Sequence, residues 1–299
     1  MKQLIYLSMI LISNLTSGQM SLTPSKFMQI DDYKINYTDH GSGKETLLFL
    51  HGFILSTASW DNIVKNLDTS KFRIICIDVF GFGFSDKPLN ADYSIEKQAK
   101  IVNDFLINLN IDTITIISHS YGGVIALYLT FLSLKKENNI CIKKQVLIDV
   151  PAFENSRPIF LKVLNNSFLS FISLKLIPAN LLAKYILKST FYDFEKAKRN
   201  HLNRYTFFLK MRHIDEAMVQ MAKQILPDRI DDLMLSYSSI NFPVLIIWGE
   251  NDNLISLDFG KKLSHEIKNS AFEIIPKCGH VPHEECPSET FLIINKFLN

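Results

Sequence analysis

Ser120 stands in the run Ser118-His119-Ser120-Tyr121-Gly122-Gly123, between an apolar, β-branched stretch (111–117) and a helical pattern that starts at Val124. A strand that ends in a small–X–Ser–X–Gly turn and opens a helix presents the serine hydroxyl at the tip of a tight bend, near the positive end of that helix. The positions two before and two after the serine must be small, and Ser118 and Gly122 meet that demand. A serine hydroxyl needs a base to take its proton, and the base needs a carboxylate to hold its tautomer. Asp252 and His280 supply these in the chain order nucleophile, acid, base. Each falls just past an apolar run that reads as a strand, 244–248 and 272–275. The chemistry implied is attack of Ser120 on a carbonyl carbon, with His280 as base and Asp252 behind it. His283 rivals His280, and Asp149 and Glu250 rival Asp252. His119 neighbours the serine, and the alternation of side chains at a strand end turns it away.

Further runs join these. Leu47-Leu48-Phe49-Leu50-His51-Gly52-Phe53 is an apolar run closed by a His-Gly turn, and Asp78-Val79-Phe80-Gly81-Phe82-Gly83-Phe84-Ser85 is a glycine-punctuated loop. Trp248-Gly249-Glu250-Asn251-Asp252 carries the acid, and Gly279-His280-Val281-Pro282-His283-Glu284-Glu285-Cys286-Pro287 carries the base. With the serine turn, these five motifs occur in the order found in the α/β-hydrolase family, which the chain resembles from about Lys26 onward. The resemblance implies an oxyanion site made by the backbone N–H groups of Phe53 and Tyr121. It gives His51 a structural role, makes Asp78 part of loop architecture, and requires no cofactor. It also implies cleavage of carboxylic esters of apolar small molecules or lipids through an acyl-enzyme. Relatives that open epoxides or remove halide use Asp at the nucleophile position, and Ser120 argues against both. Carbon–carbon bond hydrolases and perhydrolases keep the serine and stay open, as does a ligand-binding protein of the same fold.

The elements that must position these residues follow from periodicity. Strands are expected at 47–50, 72–78, 113–118, 145–150, 244–248 and 272–275, with an antiparallel edge pair at 27–30 and 34–38. Helical patterns separate most of them, which predicts an α/β fold with a doubly wound, mostly parallel sheet. Sites in such sheets lie beyond the carboxyl ends of the strands, where Phe53, Ser120, Asp252 and His280 all fall. Between β-like runs the alternation stops from 152 to 240, and this stretch reads as an inserted helical cap. The expected organisation is therefore core at 19–151, cap at 152–240 and core again at 241–299. The cap's apolar residues read first as ordinary helix packing. A pocket wall or a lipid-facing surface is the alternative, because lysine and arginine dominate there.

Composition narrows the class. The chain has 299 residues, is 47% hydrophobic and 21% charged, and carries a net charge of +2. It is long enough for a large core and too near neutral to suggest a nucleic-acid partner. A small-molecule ester is the expected partner, with a weak membrane-surface contact through the cap as an addition. The four cysteines form no CxxC pattern, so no metal site is expected, and a Cys278–Cys286 bridge stays open. Met1-Lys2, an apolar run and Thr16-Ser17-Gly18 form a signal-peptide pattern over 1–18. Export to the periplasm or beyond is the expectation.

Overall fold

A computed structural model describes residues 25–299 apart from positions 157 and 159. The expected signal segment, 1–18, lies outside the described residues. Eight strands form one sheet: β1 (Lys26–Ile30), β2 (Tyr33–His40), β3 (Glu45–Leu50), β4 (Phe72–Ile77), β5 (Thr113–His119), β6 (Cys141–Ile148), β7 (Val244–Gly249) and β8 (Ser270–Ile275). Their order is β1-β2-β4-β3-β5-β6-β7-β8. The β1–β2 hairpin joins β4 antiparallel, and every other pair is parallel.

The central strands read as near-continuous apolar runs because both faces are covered. All six residues of β7 are buried. Alternation then sorts their side chains between two cores. Leu48, Leu50, Ile116 and Ile246 pack with the helices Ile95–Asn108, Tyr121–Leu134 and Leu257–Glu266. Leu47, Phe49, Ile117 and Ile247 face the other way, against Trp60, Ile63 and the C-terminal helix Pro287–Leu298. Helix Tyr121–Leu134 is buried along its first eleven residues, so it runs through the core rather than over it.

The expected strands are present with shifted ends. β6 starts at Cys141, four residues before its predicted start, and stops at Ile148. Lys143 and Lys144 hid its beginning, although Cys141, Ile142 and Lys143 alternate exposed, buried, exposed. Asp149 therefore lies just past the strand, with a φ of 48°. Among the described residues, 150–243 contain no strand. They form helices at Phe160–Asn165, Ser167–Phe171, Ala179–Thr190, Arg199–Phe208, Ile214–Lys223 and Ile230–Ser236. A small core of Leu55, Ala183, Leu187, Phe191, Tyr205 and Val281 fastens this helical insertion to the sheet end that carries His280. Cys278 and Cys286 are buried and unbridged.

Candidate active site

Ser120 occupies a bend with φ 47° and ψ −118°. This left-handed backbone costs a residue with a side chain about 1–3 kcal/mol, which the surroundings must offset. Ser120 N donates to Ile148 O at 2.9 Å, and Gly123 N donates to Ser120 O at 2.8 Å. A Cβ on Gly122 would lie 2.4 Å from Leu50 O, so the close approach of turn to strand demands glycine there. Ser118 stands where a smaller residue would also fit, and its buried hydroxyl donates to Val146 O at 3.1 Å. Helix Tyr121–Leu134 begins directly after the bend. The Tyr121 N–H thus belongs to a first turn that has no acceptors within the helix.

The bend sets Ser120 Oγ 3.0 Å from His280 Nε2. His280 Nδ1 lies 2.7 Å from Asp252 Oδ2. The other carboxylate oxygen, Asp252 Oδ1, accepts from Leu254 N at 2.7 Å and Ile255 N at 3.0 Å. Those two bonds lock the carboxylate and leave Oδ2 for the imidazole. With Nδ1–H donating to Asp252, the Nε2 lone pair faces the serine hydroxyl. The three residues chosen from sequence, each on the loop after a different strand, are within hydrogen-bond reach of one another.

The loop after β8 is itself tied down. His280 N donates to Thr190 O at 2.7 Å. The Glu285 carboxylate accepts from Gly279 N at 2.7 Å, Tyr192 N at 3.0 Å and Asp193 N at 2.8 Å. A buried carboxylate therefore clamps the His280 loop to the end of helix Ala179–Thr190. Glu284, one residue earlier, pairs with Arg204 and accepts from Tyr205 Oη at 3.2 Å. Glu285 is part of the quoted motif, but its reach to Tyr192 and Asp193 has no signal in the sequence.

The rivals fall elsewhere. His283 stacks on Trp60, with ring centroids 4.4 Å apart, and does not face Ser120. Burial holds its pKa well below the usual histidine range. Glu250 accepts from Lys277 N at 3.2 Å, on the surface. His51 Nε2 accepts from Val79 N at 2.9 Å, and its Nδ1 lies 2.8 Å from Gly52 O, so it braces two loops. Asp78 likewise accepts from Thr57 N, Asn36 Nδ2 and Phe84 N at 2.6–2.7 Å. Asp149 is different. It accepts from Gly249 N at 3.0 Å, and its carboxyl lies within 4.8 Å of the ligand atoms of Asp252 and His280. Burial, then the adjacent Asp252 charge, pushes its pKa well above the carboxylate range, so it is a neutral acid.

His119 keeps the alternation of β5: it falls on the same side as Ile117, with its ring 4.5 Å from that of His283, which stacks on Trp60. Its Nε2 lies 2.7 Å from His280 O, and its ring is 5.0 Å from that of His280. Burial holds His119 neutral, with a pKa well below the usual value.

Ser120, His119 and His280 open onto a cavity of about 650 Å³. Phe53, Phe160, Leu174, Leu182 and Met218 contribute to its wall. Neither lysine nor arginine lines it among the described residues. Phe53 follows β3 and packs its ring on Tyr121 and Phe160, with centroids 6.1 Å and 5.7 Å apart. The two residues expected to donate to the oxyanion, one on the loop after β3 and one opening the helix after Ser120, are thus in side-chain contact. The arrangement can deprotonate a serine, hold an imidazolium and accept a largely apolar molecule.

Comparison with known proteins agrees with this geometry. Residues 45–287 match the family described as alpha/beta hydrolase fold. A 2-hydroxy-6-oxononadienedioate/2-hydroxy-6-oxononatrienedioate hydrolase from Pseudomonas putida is 26% identical, over 86% of this chain and 90% of that protein. The crystal structure of a putative lipase from Acinetobacter baumannii AYE is similar with a TM-score of 0.75 and 25% identity, covering 92% of this chain and 91% of the other. A membrane phospholipase A, a bacterial virulence factor, shares the fold with a TM-score of 0.75 and 24% identity, over 92% of this chain and 86% of the other.

Proposed function

This chain belongs to the alpha/beta hydrolase fold family and is an enzyme of it; on that premise we propose that it is a serine hydrolase that cleaves esters of apolar acyl groups through an acyl-enzyme. The observation that carries this reading is the unbroken chain Ser120–His280–Asp252 at the floor of a cavity whose described lining has no cation.

The roles follow from the distances. His280 Nε2, 3.0 Å from Ser120 Oγ, takes the hydroxyl proton as Oγ attacks the ester carbonyl. Asp252 stabilises the imidazolium through the 2.7 Å bond to Nδ1. The Tyr121 and Phe53 N–H groups receive the oxyanion, and loss of one such donor costs about 3–4 kcal/mol of transition-state stabilisation. The alcohol leaves with the proton from Nε2. Water enters, gives a proton to the same nitrogen and attacks the acyl-enzyme; the Oγ–acyl bond breaks, that proton passes to Ser120 Oγ and the acid is released. The left-handed bend at Ser120 keeps Oγ at the mouth of the helix, so little reorganisation remains at the moment of attack.

A second reading, carbon–carbon bond hydrolysis, is favoured by the Pseudomonas putida relative, whose name specifies a dicarboxylate substrate. A dicarboxylate would leave two anionic ends in this cavity without a cationic partner, an arrangement that burial penalises heavily. The cavity therefore favours the ester.

The test uses a fluorophosphonate probe and p-nitrophenyl esters of graded chain length. Wild type is expected to be labelled, and Ser120→Ala and His280→Ala to lose at least about 10³-fold in kcat. Octanoate is expected to exceed acetate in kcat/KM by about tenfold or more, since each buried CH₂ contributes up to about 0.8 kcal/mol. Turnover of a 2-hydroxy-6-oxo dienedioate with no turnover of esters would replace this reading with the second one.

A further inference from the structure

The helical insertion carries a surface that the catalytic reading leaves unexplained. Eight of the fifteen exposed large apolar side chains among the described residues fall between positions 163 and 185. Phe168, Leu176 and Tyr185 are 70%, 63% and 67% exposed. Ordinary helix packing, the first reading of these residues, does not hold for them. Contiguous apolar surface of this kind is rare on a protein that meets only water.

Three independent observations specify what the surface meets. The first is charge. From position 160 to 192 the chain has no Asp or Glu, while it has Lys162, Lys175, Lys184 and Lys188, of which Lys175 pairs with Asp215. Lys184 and Lys188 are exposed on helix Ala179–Thr190, each three residues after an exposed Leu181 or Tyr185. Lysines beside tyrosine and leucine on one helix face form the pattern of an interfacial helix on an anionic lipid surface. The second is shape. Phe168–Leu176 and Ala179–Thr190 meet at 112°, so the pair forms an apolar elbow at Ile177 and Pro178. No single helix among the described residues is long and apolar enough to cross a membrane, which fits a segment lying in the interface. The third is continuity. Val163, Ile177, Leu181 and Tyr185 belong both to the exposed patch and to the wall of the cavity that reaches Ser120 and His280.

We propose that the elbow Phe168–Thr190 docks on an anionic lipid leaflet and sets the cavity mouth against it, so that acyl chains pass from bilayer to Ser120 without crossing water. The docking stands apart from the chemistry. Only the substrate class, an acyl ester held in a membrane, rests on the ester-hydrolase reading.

Flotation of Ser120→Ala protein with vesicles separates the two, because it requires no turnover. Binding to vesicles of phosphatidylglycerol and phosphatidylcholine is expected, with at least about tenfold less binding to phosphatidylcholine alone or at 0.5 M salt. Phe168→Asp/Phe171→Asp/Leu176→Asp, three exposed positions outside the cavity wall, should abolish flotation. In the Ser120 background the same triple variant should keep its turnover of a soluble p-nitrophenyl ester, and lose at least about tenfold on vesicle lipid. No flotation with either vesicle would overturn the docking, as would flotation unchanged by the triple variant. A dimer in light scattering that the triple variant dissolves, without flotation, would also overturn it and assign the patch to a second copy of the chain. Docking without hydrolysis of any ester would keep the surface and sink the ester reading instead.

Discussion

Two carboxylates crowd His280, and burial divides their roles. Asp252 keeps backbone N–H donors on one oxygen and the imidazole on the other. Asp149 has less: full burial and the neighbouring Asp252 charge raise its pKa, and its one backbone donor does not offset them. Asp252→Asn removes the acceptor that holds the His280 tautomer, and kcat should fall by about 10³–10⁴-fold. Asp149→Asn replaces a neutral acid by a neutral amide of the same shape. Turnover within about threefold of wild type is expected, measured on the same ester. A reversal of these two results would move the acid to Asp149. His283 carries a second residue-scale prediction. Both its ring nitrogens are buried without a hydrogen-bond partner among the described residues, and its folded pKa is depressed. A depressed histidine binds its proton in the unfolded chain first, so stability is present above about pH 6.5 and is lost as pH falls below it. The loss runs at up to about 1.4 kcal/mol per pH unit for each proton taken up. His283→Phe preserves the stack on Trp60 and abandons no hydrogen bond. Denaturant unfolding from pH 7 to 5 should show a flatter acid limb for the variant, and an unchanged limb would contradict the assignment.

At the scale of elements, the catalytic geometry depends on how one loop is tethered. The turn after β8 has little apolar content of its own, and the Glu285 carboxylate with its three N–H donors fixes it to the end of helix Ala179–Thr190. Truncation would leave three backbone donors unpaired, each costing about 1–3 kcal/mol where water cannot reach. Glu285→Ala should lower unfolding stability by about 2–4 kcal/mol. It should reduce kcat more than it changes KM, because His280 loses its registration to Ser120 while the cavity wall remains. Stability and kcat both equal to wild type would show that Glu285 is not the tether. Most elements were legible as runs of apolar residues, and the hydrophobic period named β3, β4, β5, β7 and β8 to within a few residues. β6 was misplaced at its start because Lys143 and Lys144 interrupt the apolar run, although Lys143 takes an exposed position and Lys144 donates to Phe297 O and Leu298 O. The tether was not legible. Glu285 meets Tyr192 and Asp193 only because the insertion folds back onto the sheet.

For the whole molecule, we propose export through the signal pattern over 1–18, which suits an enzyme that works on lipid at a membrane surface. The mature chain is expected to begin near Gln19, where small residues precede the cleavage point. Mass spectrometry of protein from its native host checks this, and an intact Met1 or Lys2 on soluble protein inside the cell would refute it. The residue types, their order and the strand ends that carry them determined the fold class and singled out Ser120, Asp252 and His280, which the fold brings within hydrogen-bond reach of one another. Such information is local: a turn must be tight, a covered strand must be apolar, and a base must follow an acid along the chain. The tertiary structure alone decided the rest. It raised the pKa of Asp149 by burying it and setting it beside Asp252, brought His119 onto the carbonyl of His280, kept cations out of the described cavity wall, and left Phe168, Phe171 and Leu176 facing outward. Charge state and exposure depend on neighbours distant in sequence. An apolar run reads the same whether its face meets a core, a cavity or a lipid leaflet.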